Sequence, residues 1–258
     1  MELITQIPYI LIGIVAGIAS GLFGIGGGMI IVPFALALGI SSHQAIAISI
    51  VQMIFSSLFG SYLNYKKGNL AIKDGFIAGF GGLIGASFSG IIVSFFSDIA
   101  LSSVFLCVSV AFFAKYFFGK KNIVVERALT PLKKTIILIV SGAVVGVFAI
   151  SLGIGGGLQL AAILGFFLGY DSKKVTRLSL FFIVFASSAG AFSFLKEGII
   201  DESIFYKGVI VAIGSLLGVF IGTKIMEKIQ LKSHRIALLC IYALSILITS
   251  ITLIKKII

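Results

Sequence analysis

Apolar residues dominate this chain in long uninterrupted stretches. From Leu3 to Tyr65 there is no Asp, Glu, Lys or Arg, and a second uncharged run extends from Thr135 to Tyr170. About 20 apolar residues already cross a bilayer, so each run holds more than one crossing's worth of chain. The pattern predicts segments at 7–40, 44–64, 75–97 and 99–118 in the first half, and at 135–169, 177–195, 205–223 and 235–254 in the second. The expected fold class is an all-α integral membrane protein.

The two halves are copies of one unit. Gly17 to Gly28 (GIASGLFGIGGG) matches Gly146 to Gly157 (GVFAISLGIGGG) at a constant offset of 129, with Gly-Ile-Gly-Gly-Gly identical in both. After a one-residue slip, Ser49, Ser57, Gly60 and Gly68 align with Ser179, Ser187, Gly190 and Gly198. After a further slip, Gly75, Gly81 and Gly85 meet Gly208, Gly214 and Gly218, and Cys107 meets Cys240. Residues 1–118 form a first membrane repeat, 119–134 a basic cytoplasmic linker and 135–258 a second membrane repeat.

Each repeat opens on a segment too long for one crossing. As a single helix, 135–169 would measure about 50 Å, against a hydrocarbon core of about 30 Å. It must turn back, and the glycine run at Gly153 is where a helix is weakest. Charge supports the turn. If the second long segment enters and leaves on one side, a single face collects 16 of the 20 Lys and Arg; if it crosses once, the split is 13 against 7. The positive-inside rule selects the hairpin. A hairpin followed by three spans reverses direction an odd number of times, so the copies are expected as inverted repeats with both termini outside.

Composition narrows the class further. The chain is 59% hydrophobic and 11% charged, where soluble domains carry about 25% charged residues. Its net charge of +11 sits in short loops between apolar runs, which argues for topology and against nucleic acid as a partner. Met1-Glu2-Leu3 lacks the basic start of a signal peptide, so the first helix is expected to be retained. Cys107 and Cys240 read as small, lipid-tolerant core residues, not as a disulfide or a metal site.

The chemistry is expected where two inverted hairpins would meet at mid-membrane. Gly24, Gly26, Gly27 and Gly28 would face Gly153, Gly155, Gly156 and Gly157. Helices restarting there would aim free N–H groups and their positive dipole ends inward, an anion site made of backbone. Gln52 and Gln159 could add amide donors, and Ser20, Ser49 and Ser179 hydroxyls, with Ser57, Ser151 and Ser187 as further options. Arg177, beside Lys173 and Lys174, sets topology or lines an anion-attracting vestibule. Isolated glycines such as Gly79, Gly82 and Gly142 are expected to serve helix packing.

All nine acidic residues fall at span ends or in loops, leaving no carboxylate for a mid-membrane proton relay or sodium cage. Expulsion of an anion would draw on an inside-negative potential, about 2.3 kcal/mol per charge per 100 mV. The two histidines, His43 and His234, lie at span ends without the partners of an intramembrane enzyme, and neither a metal nor a cofactor is implied. The glycine cluster lacks the strand and downstream acidic residue of a dinucleotide fold.

At Gly21-Leu22-Phe23-Gly24-Ile25-Gly26-Gly27-Gly28, followed by Val32-Pro33 and Ala45-Ile46-Ala47-Ile48-Ser49, the chain resembles the sulfite exporter TauE/SafE family of membrane permeases. The pattern returns at Gly153 to Gly157, so the resemblance covers nearly the whole chain. It departs in the second copy, where Thr176-Arg177-Leu178 precedes Ser179 and Ala161-Ala162 replaces Val-Pro. The resemblance implies transport, most often export, of sulfur-containing anions such as sulfite, thiosulfate or organosulfonates across a bacterial-type plasma membrane. An anion channel and a non-transporting scaffold are the alternatives. The oligomeric state stays open, a homodimer among the options.

Overall fold

A computed structural model describes residues 2–118 and 129–257. Most of the expected linker, 119–128, lies outside the described residues; 129–130 lead directly into a helix. The described chain is helical and contains eight spans long and apolar enough to cross a membrane, one of them (Ile72–Ser94) made of two consecutive helices, together with two shorter apolar helices.

In the first copy the elements are α1 (Glu2–Phe23), α2 (Gly28–Ala37), α3 (Ser42–Lys66), α4 (Ile72–Ala86), α5 (Ser89–Ser94) and α6 (Asp98–Phe118). In the second they are α7 (Pro131–Ser151), α8 (Gly157–Phe167), α9 (Ser172–Lys196), α10 (Glu202–Lys228) and α11 (Leu231–Ile257). Both long segments break at their glycine runs as expected. Helix starts are fixed chemically: the Ser41 side chain accepts from the Gln44 N–H, Asp171 from Lys174 and Asp201 from Ile204, each satisfying a donor that the first turn leaves orphaned. The span expected at 75–97 is interrupted between α4 and α5. Ser87 and Ser89 hydroxyls donate there to the Leu83 and Ala86 carbonyls, a local competition that bends helices.

The copies interleave. α1 packs on α10 and α4 on α7; α3 also packs on α10 and α4 on α9; α3 meets α9 and α6 meets α11. Exchanging the copies maps these contacts onto one another. Glycine makes the closest of them possible. A β-carbon at Gly17 would sit 2.2 Å from the Ser215 carbonyl oxygen, and one at Gly218 would sit 2.1 Å from that of Ile14. In the other pair the same holds for Gly81 against Ile139 at 2.1 Å and Gly142 against Ala78 at 2.1 Å. Backbones this close gain dispersion that lipid tails cannot supply. Gly79 and Gly82 instead receive the rings of Phe185 and Phe182.

These contacts also give direction. Gly13, Gly17 and Gly21 meet Val211, Ser215 and Val219 in order, so α1 and α10 are parallel; Gly142 and Gly146 meet Ala78 and Gly82, so α7 and α4 are parallel. Leu180 of α9 touches Gly60 near the end of α3, while its neighbour Phe181 touches Gly75 near the start of α4. The chain therefore reverses between α3 and α4. Gly208 on Val51 and Gly60 on Val219 make α3 parallel to α10. It follows that α1 and α7 run in opposite directions. The second long segment also returns to its starting level, because Tyr170 at its exit and Lys134 at its entrance both bind Asp74.

Large apolar side chains cover the outside, among them Leu11, Phe148, Phe192 and Leu217, each more than half exposed. Water would not tolerate such a surface; lipid does. Cys107 and Cys240 are free and exposed, which corrects the expectation that they are core residues. α6 and α11, which carry them, lie at the periphery and turn much of their surface outward.

Candidate functional site

The two Gly-Ile-Gly-Gly-Gly stretches cross each other in the centre of the molecule. Gly28 lies against Gly153, Gly26 against Gly155 and Gly157 against Gly24, so the segments run antiparallel. There is no room for a side chain. A β-carbon at Gly28 would come 1.6 Å from the Gly153 carbonyl oxygen, and one at Gly157 would come 1.8 Å from that of Gly24.

Glycine is required for conformation as well. Gly24, Gly26 and Gly27 have φ of 67°, 76° and 91°, and Gly153, Gly155 and Gly156 have 65°, 89° and 86°. Side-chain-bearing residues rarely enter that left-handed region. Gly27 and Gly156 are the residues before α2 and α8, and neither helix start has a side-chain cap. Among the described residues, the N–H groups of Ile25, Gly26 and Gly27 find no acceptor, and neither do those of Gly156, Gly157, Leu158 and Gln159. Every residue from Gly24 to Gly28 and from Gly153 to Gly157 is buried. Two helix N-termini thus bring a cluster of unsatisfied donors and two positive dipole ends into one dry place.

Two serines hold the crossing. Ser49 donates to the Gly153 carbonyl at 3.0 Å and to its own Ile46 carbonyl at 2.8 Å. Its counterpart Ser179 donates to Gly24 at 2.9 Å and to Thr176 at 2.9 Å. Both hydroxyl protons are therefore spent on carbonyls, and these serines position the tips. Each lies seven residues into its helix, about 10 Å along the axis at 1.5 Å per residue, well inside the ends of α3 and α9.

The remaining expected residues divide. Gln52 is completely buried, its Oε1 lies 3.2 Å from where a Gly27 β-carbon would be, and neither amide atom has a partner. Ser20 is likewise fully buried and unpartnered. Ser151 is buried without a partner, whereas Ser57 and Ser187 donate to carbonyls of their own helices. Gln159 is half-buried in the first turn of α8, with Oε1 unpartnered. Arg177 is half-buried in the second turn of α9, next to Thr176, whose hydroxyl reaches the Phe23 carbonyl at 3.5 Å. Sequence reasoning missed Met53, whose Cγ would stand 3.0 Å from a β-carbon at Gly26; an apolar residue in an apolar span carries no signal.

Comparison with known proteins gives the same architecture a family. The chain is 27% identical over 233 residues to the probable membrane transporter protein YdhB of Bacillus subtilis, covering 87% of this chain and 93% of that one. It is 30% identical over 248 residues to a probable membrane transporter protein of Methanocaldococcus jannaschii, with 89% of each covered. A probable membrane transporter protein of Haemophilus influenzae is 26% identical over 198 residues, 73% of each. No solved structure matches. The profile described as sulfite exporter TauE/SafE matches residues 9–249, nearly the whole span of both repeats, and the chain belongs to that family of membrane transporters.

Proposed function

We propose that the protein carries a small sulfur-containing oxyanion, such as sulfite, thiosulfate or an organosulfonate, across a bacterial-type plasma membrane, and that the crossed glycine tips bind it. The observation that carries this reading is the cluster of buried, acceptor-free N–H groups where α2 and α8 begin. An anion is the solute that such a cluster attracts. The opposed directions of α1 and α7 fit two repeats inserted in opposite senses, with the tips near the middle of the bilayer. The tips seal against each other, so passage requires them to part, which favours a carrier over an open pore.

Flux of sulfite from proteoliposomes tests the reading. An inside-negative potassium-diffusion potential is expected to accelerate efflux, since each charge gains about 2.3 kcal/mol per 100 mV. Gly27→Leu and Gly156→Leu are expected to abolish flux while protein remains in the membrane. Full flux in both variants, or flux that ignores the potential and follows only a pH gradient, would overturn the proposal. Single-channel currents would replace the carrier with a channel.

A further inference from the structure

The tips are related by the repeat, but the surroundings of Gly27 and Gly156 are not alike. Ala16, Ser20, Gly27 and Gln52 of the first copy correspond in sequence to Val145, Ala149, Gly156 and Phe182 of the second. A β-carbon at Gly27 would meet the Ala16 carbonyl oxygen at 3.0 Å, the Ala16 methyl at 3.1 Å and Gln52 Oε1 at 3.2 Å. At Gly156 it would meet a Val145 methyl at 2.5 Å, the Ala149 methyl at 2.9 Å and the Phe182 ring at 3.3 Å. Gly27 has an amide beside it, with Ser20 one turn beyond Ala16 on α1, whereas hydrocarbon surrounds Gly156. Ser20 Oγ and both amide atoms of Gln52 are buried without partners. Because buried polar atoms are nearly always hydrogen-bonded, this set marks a place for a polar guest.

We infer that the transported anion rests behind the first tip only, among Gly27, Ser20 and Gln52, and that it carries a hydrogen-bond donor of its own; this rests on the anion-transport reading above. Whichever way it is turned, an amide has one donating and one accepting end. The tip N–H groups, the Ser20 hydroxyl and Gln52 Nε2 suit the oxygens of an anion. Gln52 Oε1 only accepts, and a fully deprotonated oxyanion offers it nothing. A hydroxyl on the solute satisfies it, as does the proton of a monoprotonated anion such as hydrogen sulfite. Phe182 excludes a second, equivalent site.

Calorimetric binding of methanesulfonate and hydroxymethanesulfonate to the purified full-length protein tests this, because the two monoanions differ by one hydroxyl. The hydroxylated anion is expected to bind roughly tenfold more tightly or better, as sites that pair a solute hydroxyl discriminate against its absence. Gln52→Met, nearly isosteric, is expected to bring the two affinities within about twofold by removing the amide. Phe182→Leu is expected to preserve the preference. Equal affinities in the wild type, the result if water answers Gln52, would remove the donor-selective site while leaving potential-driven sulfite flux intact. Loss of the preference in Phe182→Leu would likewise refute a one-sided site. Absence of both binding and flux would overturn the transport reading and this inference with it.

Discussion

Ser49 donates its hydroxyl to the carbonyl of Gly153, 3.0 Å away and 104 residues along the chain. Ser179 repeats the bond to Gly24. Each repeat therefore holds the other's broken segment through a carbonyl of its glycine run.

Ser49→Ala and Ser179→Ala should each lower stability by about 0.6 kcal/mol, the usual worth of a side-chain hydrogen bond between helices in a membrane. Chemical unfolding in mixed micelles measures this. Transport should fall further than stability, since the tips lose their anchor.

Gly28→Ala and Gly157→Ala should be far more damaging. Each methyl would have to occupy the space of a backbone carbonyl, and overpacking costs about 1–3 kcal/mol even where side chains can yield. Loss of the folded, monodisperse peak in size-exclusion chromatography is the expected readout, with Gly39→Ala, whose surroundings are open, as a positive-φ control that should stay folded.

Gly17→Leu should separate α1 from α10, because its new side chain would meet the Ser215 backbone. Leu11→Ala, on the outward face of the same helix, should change melting by little. Thermal melting of the two variants side by side checks the assignment of faces.

Asp74 is 7% exposed and takes both the Tyr170 hydroxyl and Lys134. Asp74→Asn should cost about 2 kcal/mol, in the range of hydrogen bonds to charged groups. Tyr170→Phe should cost less, and the double variant should fall short of the sum because the two changes share one bond.

Much of this was legible in the sequence because polar residues are scarce in its spans. The duplicated glycines located both breaks, the charge count located the return of the second segment, and Ser20 and Gln52 were among the few polar positions inside the spans. The antiparallel crossing of the tips was not legible, since it depends on contacts between residues far apart in the chain. Nor was the use of the Ser49 and Ser179 protons, because a hydroxyl in a helix has several acceptors within reach and only the fold selects one. The break between α4 and α5 was masked by continuous hydropathy. The pairing of Gln52 with Phe182 was present in the repeat, but only the packing behind Gly27 and Gly156 gives it meaning.

The interleaving of the copies has a consequence for biogenesis. α1 finds its closest neighbour in α10, and α7 finds its own in α4, so neither half encloses its own opening helix. As the chain leaves the ribosome, Phe23 is made long before Glu202, and the glycine-lined flank of α1 must wait in lipid until its mate arrives. Severed halves would be poor candidates for independent maturation, and co-expressed ones would have to find each other within the bilayer.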